Sequence, residues 1–246
     1  MAYQLHYWPG IQGRGEFVRL ALETAGAAYV DVARGEPSEG QGLGAMEHYL
    51  EDASVARPPF ACPFLVDGRI VVAQTAAILL YLGPRLELVP QREADRLWAH
   101  QIQLTIADMV DEVHDTHHPI ASSLYYEDQK PEAERRAADF RANRLPKFLA
   151  WFEAILERNE GNATREVPRL IGARLGYPDL SLFQLVDGLQ YAFPKATARA
   201  LKKAPRVAAL HAGVPANQRL AAYLASERRI PFNEQGIFRR YPDLDG

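Results

Sequence analysis

The chain has 246 residues, enough for one large core or two modest ones, and its 48% hydrophobic and 24% charged content is ordinary for a soluble globular protein. A formal charge of -3 gives no electrostatic case for a nucleic-acid partner or an anionic membrane surface. One cysteine excludes an internal disulfide framework and a cysteine-based zinc site, so a reducing, cytoplasmic setting is expected.

Near the N-terminus, Pro9 and Gly10 interrupt any signal-peptide layout, and no apolar run reaches the ~18 residues of a membrane span. Residues 4–8 read as a short strand with a tyrosine near its end. A loop holding Pro9, Gly10 and Gly13 follows, and residues 16–25 read as a helix closed by Gly26, which is free to take the left-handed conformation of a cap. Glu16, Arg19 and Glu23, at i, i+3 and i+7, form its expected polar edge. Phe17, Val18, Leu20, Ala21, Leu22 and Ala25 supply a broad buried face. Residues 29–33 read as a second strand, so the opening unit is βαβ. The glycine- and proline-rich residues 33–59 are expected to be a loose connection with one short helix near 45–50. Residues 64–66 and 69–73 flank Asp67-Gly68, a two-residue hairpin signal, and a helix over 75–82 completes a four-stranded unit.

Beyond Gly83-Pro84 only helical periods remain. Ile102, Ile106, Met109 and Val113 mark a helix over 92–117; Phe140, Phe148, Phe152 and Ile155 mark another over 132–158, bent at Pro146. Residues 180–193 are apolar enough for a buried central helix, 204–226 hold one or two more, and the last 20 residues are expected to be an irregular tail over the surface.

This order resembles a cytosolic glutathione transferase over nearly the whole chain, and three stretches carry the resemblance. LHYWPGIQGRGE is similar to the first-strand signature of the tyrosine-type classes, closest in motif to the alpha- and sigma-like ones. ACPFLVDGRIVVAQTAAILLYL is similar to the family's proline, hairpin and Gln-Ser/Thr sequence. GYPDLSLFQLVDGL resembles the capped core helix of the second domain. The resemblance implies an α/β thioredoxin-like, glutathione-binding domain over residues 1–83 and an all-helical substrate-binding domain over 90–246. It further implies a homodimer, a small hydrophobic electrophile as second substrate and a role in detoxification.

Glutathione is then the implied co-substrate. Its thiol, like an ordinary cysteine with a pKa of ~8.5, is mostly protonated at pH 7, and only the thiolate is the nucleophile. A hydroxyl that donates to the sulfur favours the charged form, as does a nearby cation. The resemblance gives these roles to Tyr7 and Arg14. Gln74 and Thr75 would hold the γ-glutamyl carboxylate, because a helix N-terminus presents free N–H groups and a partial positive charge. By itself Thr75 reads as a cap of its own helix. Cys62-Pro63 would be a cis bond, with the Cys62 backbone pairing to the cysteinyl portion. The Cys62 thiol opens a thiol–disulfide oxidoreductase reading, although the family's cysteine-type members carry their nucleophile at the first helix, where this chain has none.

Asp108 would contact the γ-glutamyl ammonium, often from the partner subunit; taken alone it belongs to a solvated acidic face with Asp111 and Asp115. Trp8, Ile11 and His114 are implied walls of the electrophile pocket. His114 and His118 have metal-compatible spacing, but Pro119 interrupts the register and no metal is assigned. Asp179 sits three residues after Gly176, half of a capping box, and reads as structural. The same thiolate apparatus would serve glutathione-dependent isomerisation, ether cleavage, dehalogenation or peroxide reduction. A non-catalytic ligand-binding protein on this scaffold is a further reading.

Overall fold

The computed structural model describes residues 2–246. A four-stranded sheet has the order β2-β1-β3-β4, with β1 (Tyr3–His6), β2 (Tyr29–Asp31), β3 (Phe64–Asp67) and β4 (Ile70–Ala73). Helix α1 (Gly15–Ala25) is the crossover that makes β1 and β2 parallel, while β3 and β4 are the antiparallel hairpin expected around Asp67-Gly68. Leu5 lies opposite Leu65, and His6 opposite Phe64. Alternation along the strands sends these two pairs to opposite faces. Leu5 and Leu65 pack with Val18, Leu22, Ile78 and Leu82, under α1 and α3 (Thr75–Arg85). Phe64 packs with Met46 and Tyr49 of α2 (Leu43–Glu51), and the His6 ring stacks on it at 4.2 Å.

The rest is helical: α4 (Glu93–Asp115), α5 (Lys130–Asp139), α6 (Leu145–Arg158), α7 (Tyr177–Ala192), α8 (Pro194–Leu201), α9 (Pro205–Gly213), α10 (Gln218–Leu224) and the short α11 (Pro242–Asp245). Helix α7 is buried along almost its whole length and shares one large core with α4, α6 and the inner face of α1. The fold is therefore a thioredoxin-like unit followed by an all-helical one. Among the described residues no helix is long and apolar enough to cross a membrane.

Several sequence expectations are corrected in detail. The second strand ends at Asp31, and residues 32–34 form a 3-10 turn instead. The helix expected to stop at Leu82 continues through Gly83-Pro84 to Arg85, with Gly83 lying against Tyr177, where a side chain would not fit. The single helix over 132–158 is two, joined by a π-turn over Phe140–Arg144. Pro146 then falls in the first turn of α6, where its missing N–H costs nothing. Helix α8 was not foreseen; two prolines delimit it, at its own first residue and at the first residue of α9.

The tail is anchored as well as irregular. Ile230, Ile237, Phe238 and Leu244 are buried, Tyr241 stacks on Tyr126 at 3.8 Å, and the carboxylate of Asp245 accepts the N–H groups of Lys195 and Ala196 at the start of α8. In the capping box of α7, Asp179 accepts from Gly176 N–H at 2.9 Å and, with its other oxygen, from Leu170 N–H at 2.8 Å. Burial raises this carboxyl to about 6.

Candidate active site

Tyr7 leaves the end of β1 and is buried, 4% exposed, beneath the loop that enters α1. A Cβ at Gly13 would overlap its hydroxyl, and a Cβ at Gly15 would overlap its ring. Gly13 also has φ +44°, a left-handed conformation that favours glycine. Between them, the backbone N–H of Arg14 donates to the Tyr7 oxygen at 2.8 Å. Burial raises the phenol above its usual pKa, against the opposing Arg14 contact and charge, so Tyr7 keeps its proton at neutral pH. Among the described residues nothing accepts that proton.

The side chain of Arg14 reaches across to α4 and pairs with Asp111. Its carbonyl accepts from the Thr75 hydroxyl at 3.3 Å. Thr75 is thus the first residue of α3 but not its cap, and it links the α3 N-terminus to the Tyr7 loop. Gln74, just before it, stands at φ +69° with an exposed side chain that makes no capping bond. Strained non-glycine backbone of this kind concentrates where a ligand is held. Cys62-Pro63 is cis, and the Cys62 thiol, partly buried, is pushed up by burial against the favourable N–H of Trp8. Trp8 is 42% exposed.

Tyr7, Arg14, Cys62, Gln74 and Thr75 therefore gather where β1, β3, α1 and α3 meet, with Asp111 facing them. Asp108 and His114 lie one helical turn to either side of Asp111 on α4. Asp108 is exposed, and among the described residues it has no side-chain partner. Ile11, half-buried, lies against Gly236 of the tail.

The imidazoles of His114, His117 and His118 form a cluster in which His114 and His118 stack and His117 meets both edge-on. His117 Nε2–H donates to the Ile237 carbonyl at 2.9 Å, and its Nδ1 lies 2.5 Å from that of His118. Burial lowers His117 to about 3 and His118, beside Arg239, to about 4; it lowers His114 too. Helix α4 ends at Asp115, yet the His118 N–H still donates to the His114 carbonyl at 3.2 Å, and the two rings stack at 4.9 Å. Among the described residues no group of three or more His, Cys, Asp or Glu side chains is set to hold a metal ion.

The polar edge expected on α1 is not solvated. Glu16 and Arg19 are both 0% exposed. Arg19 bonds Asp31 at 2.7 Å and Glu16 at 3.4 Å; burial alone would lower its pKa, but Asp31 and Glu16 together carry it above the usual value. Glu16 also accepts from Tyr223 at 2.8 Å and Arg229 at 2.6 Å. These two partners lie over 200 residues away in sequence, beyond the reach of any local pattern.

Residues 114–227 match the family model described as glutathione S-transferase, C-terminal domain. Two glutathione S-transferases, from Plasmodium falciparum (isolate 3D7) and Plasmodium yoelii yoelii, are each 23% identical, over 189 and 184 residues. The matches span 76% and 74% of this chain, and 81% and 76% of theirs. Residues 114–227 thus carry a glutathione S-transferase C-terminal domain, and the chain is similar to glutathione S-transferases over about three quarters of its length. A structure of the Onchocerca volvulus Pi-class glutathione S-transferase has the same fold, with TM-score 0.67 and 21% identity over 91% of this chain and 92% of that one. A cavity of about 480 Å³ lined by Leu88, Val89, Pro90, Ile171, Leu175 and Pro178 shares no residue with the cluster around Tyr7.

Proposed function

We propose that this protein is a transferase that binds glutathione along β3 and the start of α3 and adds its thiolate to a small hydrophobic electrophile. The observation that carries this reading is the Tyr7 hydroxyl. Its oxygen is held by the Arg14 N–H, its burial keeps it protonated, and its hydrogen is free to donate. Such a donor favours a thiolate over a thiol, at ~1.4 kcal/mol for each unit of pKa lowering. Arg14 adds positive charge. Gln74 and the N–H groups at the α3 N-terminus would take the γ-glutamyl carboxylate, with Thr75 fixing that end to the loop. The Cys62 backbone would pair with the cysteinyl portion. Burial pushes the Cys62 thiol up, so less of it is thiolate than in an ordinary cysteine, which argues for Tyr7 rather than a cysteine nucleophile.

The same reading includes a homodimer and a cytoplasmic detoxifying role, with residues 1–83 binding glutathione and 90–246 shaping the electrophile pocket. Leu97 and Leu104 are exposed on α4, and Asp108 continues their stripe at the next turn, while Phe60 is 96% exposed. An apolar stripe leading to an unpartnered acid suits a subunit interface that brings Asp108 to a partner's γ-glutamyl ammonium. Trp8, Ile11 and His114 would wall the electrophile side.

Tyr7→Phe tests the central claim. Glutathione affinity should stay nearly unchanged, while the midpoint of thiolate ultraviolet absorbance against pH should rise by roughly a unit or more. An unmoved midpoint would mean that another donor activates the sulfur. Gln74→Ala should instead weaken glutathione binding and leave the midpoint in place.

A further inference from the structure

Resting on that reading of Tyr7, we infer that tail residues 229–233 are a positioning strap, which fixes the loop between β1 and α1 so that the Arg14 N–H holds the phenol oxygen in one place. The loop has no regular structure of its own, yet three successive carbonyls in it are taken by side chains. Asn233 Nδ2 donates to Gly10 O at 2.9 Å, and Arg19 Nη1 donates to Ile11 O at 3.5 Å and Gln12 O at 3.4 Å. The buried Gln12 side chain is used at both ends. Its Nε2 donates to the Ile230 carbonyl at 2.5 Å, and its Oε1 accepts from Gln184 Nε2 of α7 at 2.7 Å.

Arg229 closes the circuit. Its Nη2 donates to Gln184 Oε1 at 3.1 Å and to Asp187 at 2.9 Å, and its Nη1 donates to Glu16 at 2.6 Å. The Glu16 N–H returns to Gln12 O at 3.0 Å. The ring Gln12–Gln184–Arg229–Glu16 thus encloses Gly13, Arg14 and Gly15, the three residues wrapped around Tyr7. Because neither glycine has a side chain, backbone alone confines the phenol there. A shift of the loop passes directly to the hydroxyl. Displacement by ~1 Å of a group in a reacting array can cost ~100-fold in rate. The strap's polar contacts go to the loop, α1 and α7, so it acts through the loop.

The test uses the full-length chain with Arg229→Met, Arg229→Lys and Asn233→Ala, and Tyr7→Phe as reference. In Arg229→Met the bound-thiol midpoint should rise by about half a unit or more and kcat should fall about tenfold. The KM for glutathione should change less than about twofold, because the α3 end of the site is untouched. Arg229→Lys, which keeps the charge against Glu16, should recover part of the midpoint shift. Asn233→Ala should give a smaller shift of the same sign, and it decides the matter if Arg229→Met does not fold. Folded strap variants that melt earlier yet keep the wild-type midpoint and kcat would overturn the proposal, leaving the strap as structural support alone. If Tyr7→Phe also leaves the midpoint unmoved, the proposal falls together with the reading of Tyr7. A shift in Tyr7→Phe alone overturns only the strap.

Discussion

The loop over Tyr7 is held from two sides by unlike means. Behind it, Glu16, Arg19, Asp31, Gln12, Gln184 and Arg229 form a buried web in which both Glu16 and Arg19 have several partners. In front, Arg14 and Asp111 form one exposed pair, with side chains 40% and 65% accessible. Charges in the buried web are poorly screened and cannot turn to water if a partner is lost, whereas the exposed pair exchanges readily with solvent ions. The web sets geometry. The pair leaves Arg14 free to trade Asp111 for another anion, which on the proposed reading is the thiolate sulfur.

The largest effect should come from breaking the web at its centre. Arg19→Met leaves Glu16 and Asp31 without their shared cation and should cost about 3–5 kcal/mol in urea denaturation. A loss near zero would show that the web is not what holds α1 against the tail. Next, Gly15→Ala places a Cβ in the Tyr7 ring, and moving the phenol should lower kcat by about 100-fold. An active Gly15→Ala enzyme would show that the phenol tolerates displacement.

A smaller effect concerns the far face of the sheet, where His6 is buried with neither ring nitrogen partnered. Burial lowers its pKa from 6.5 to about 4, so below pH 6.5 the folded chain binds fewer protons than the unfolded one. Its contribution to stability is whole above pH 6.5 and drains as the pH falls towards 4. His6→Phe should keep the stacking on Phe64 and lose on the order of 2 kcal/mol less stability than wild type across that window. Parallel curves of stability against pH would place the acid sensitivity elsewhere.

The smallest effect should be that of Asp111→Asn, within ~1 kcal/mol on stability because the pair is exposed. By releasing Arg14 it should lower the bound-thiol midpoint by a few tenths of a unit. A rise instead would show that Asp111 holds Arg14 where the sulfur needs it.

Much of this architecture was legible because its signals are local. The strand that ends just before Tyr7, the Asp67-Gly68 hairpin, Gly26 as a cap and the apolar period of α4 each depend on neighbours within a few residues. Gly13 was legible only as a loop residue, since its closeness to the Tyr7 hydroxyl follows from how the chain folds back over its own strand. Thr75 read as a cap until the structure placed its hydroxyl on the Arg14 carbonyl. Glu16 and Arg19 were misplaced for a deeper reason. Periodicity shows that a face is polar, and only Tyr223 and Arg229 show that this face is covered. Asp111 likewise passed for one acid among several on a solvated face, until the entry to α1 came within reach of α4.

One end of the tail offers a way to watch the strap without disturbing it. Helix α8 has no side-chain cap of its own and takes its first-turn acceptor from Asp245. The amide protons of Lys195 and Ala196 are therefore sheltered only while the tail is docked. Their exchange with deuterated water would time the detachment of this end of the tail, and comparing wild type with the strap variants would show whether the strap and the end come loose together.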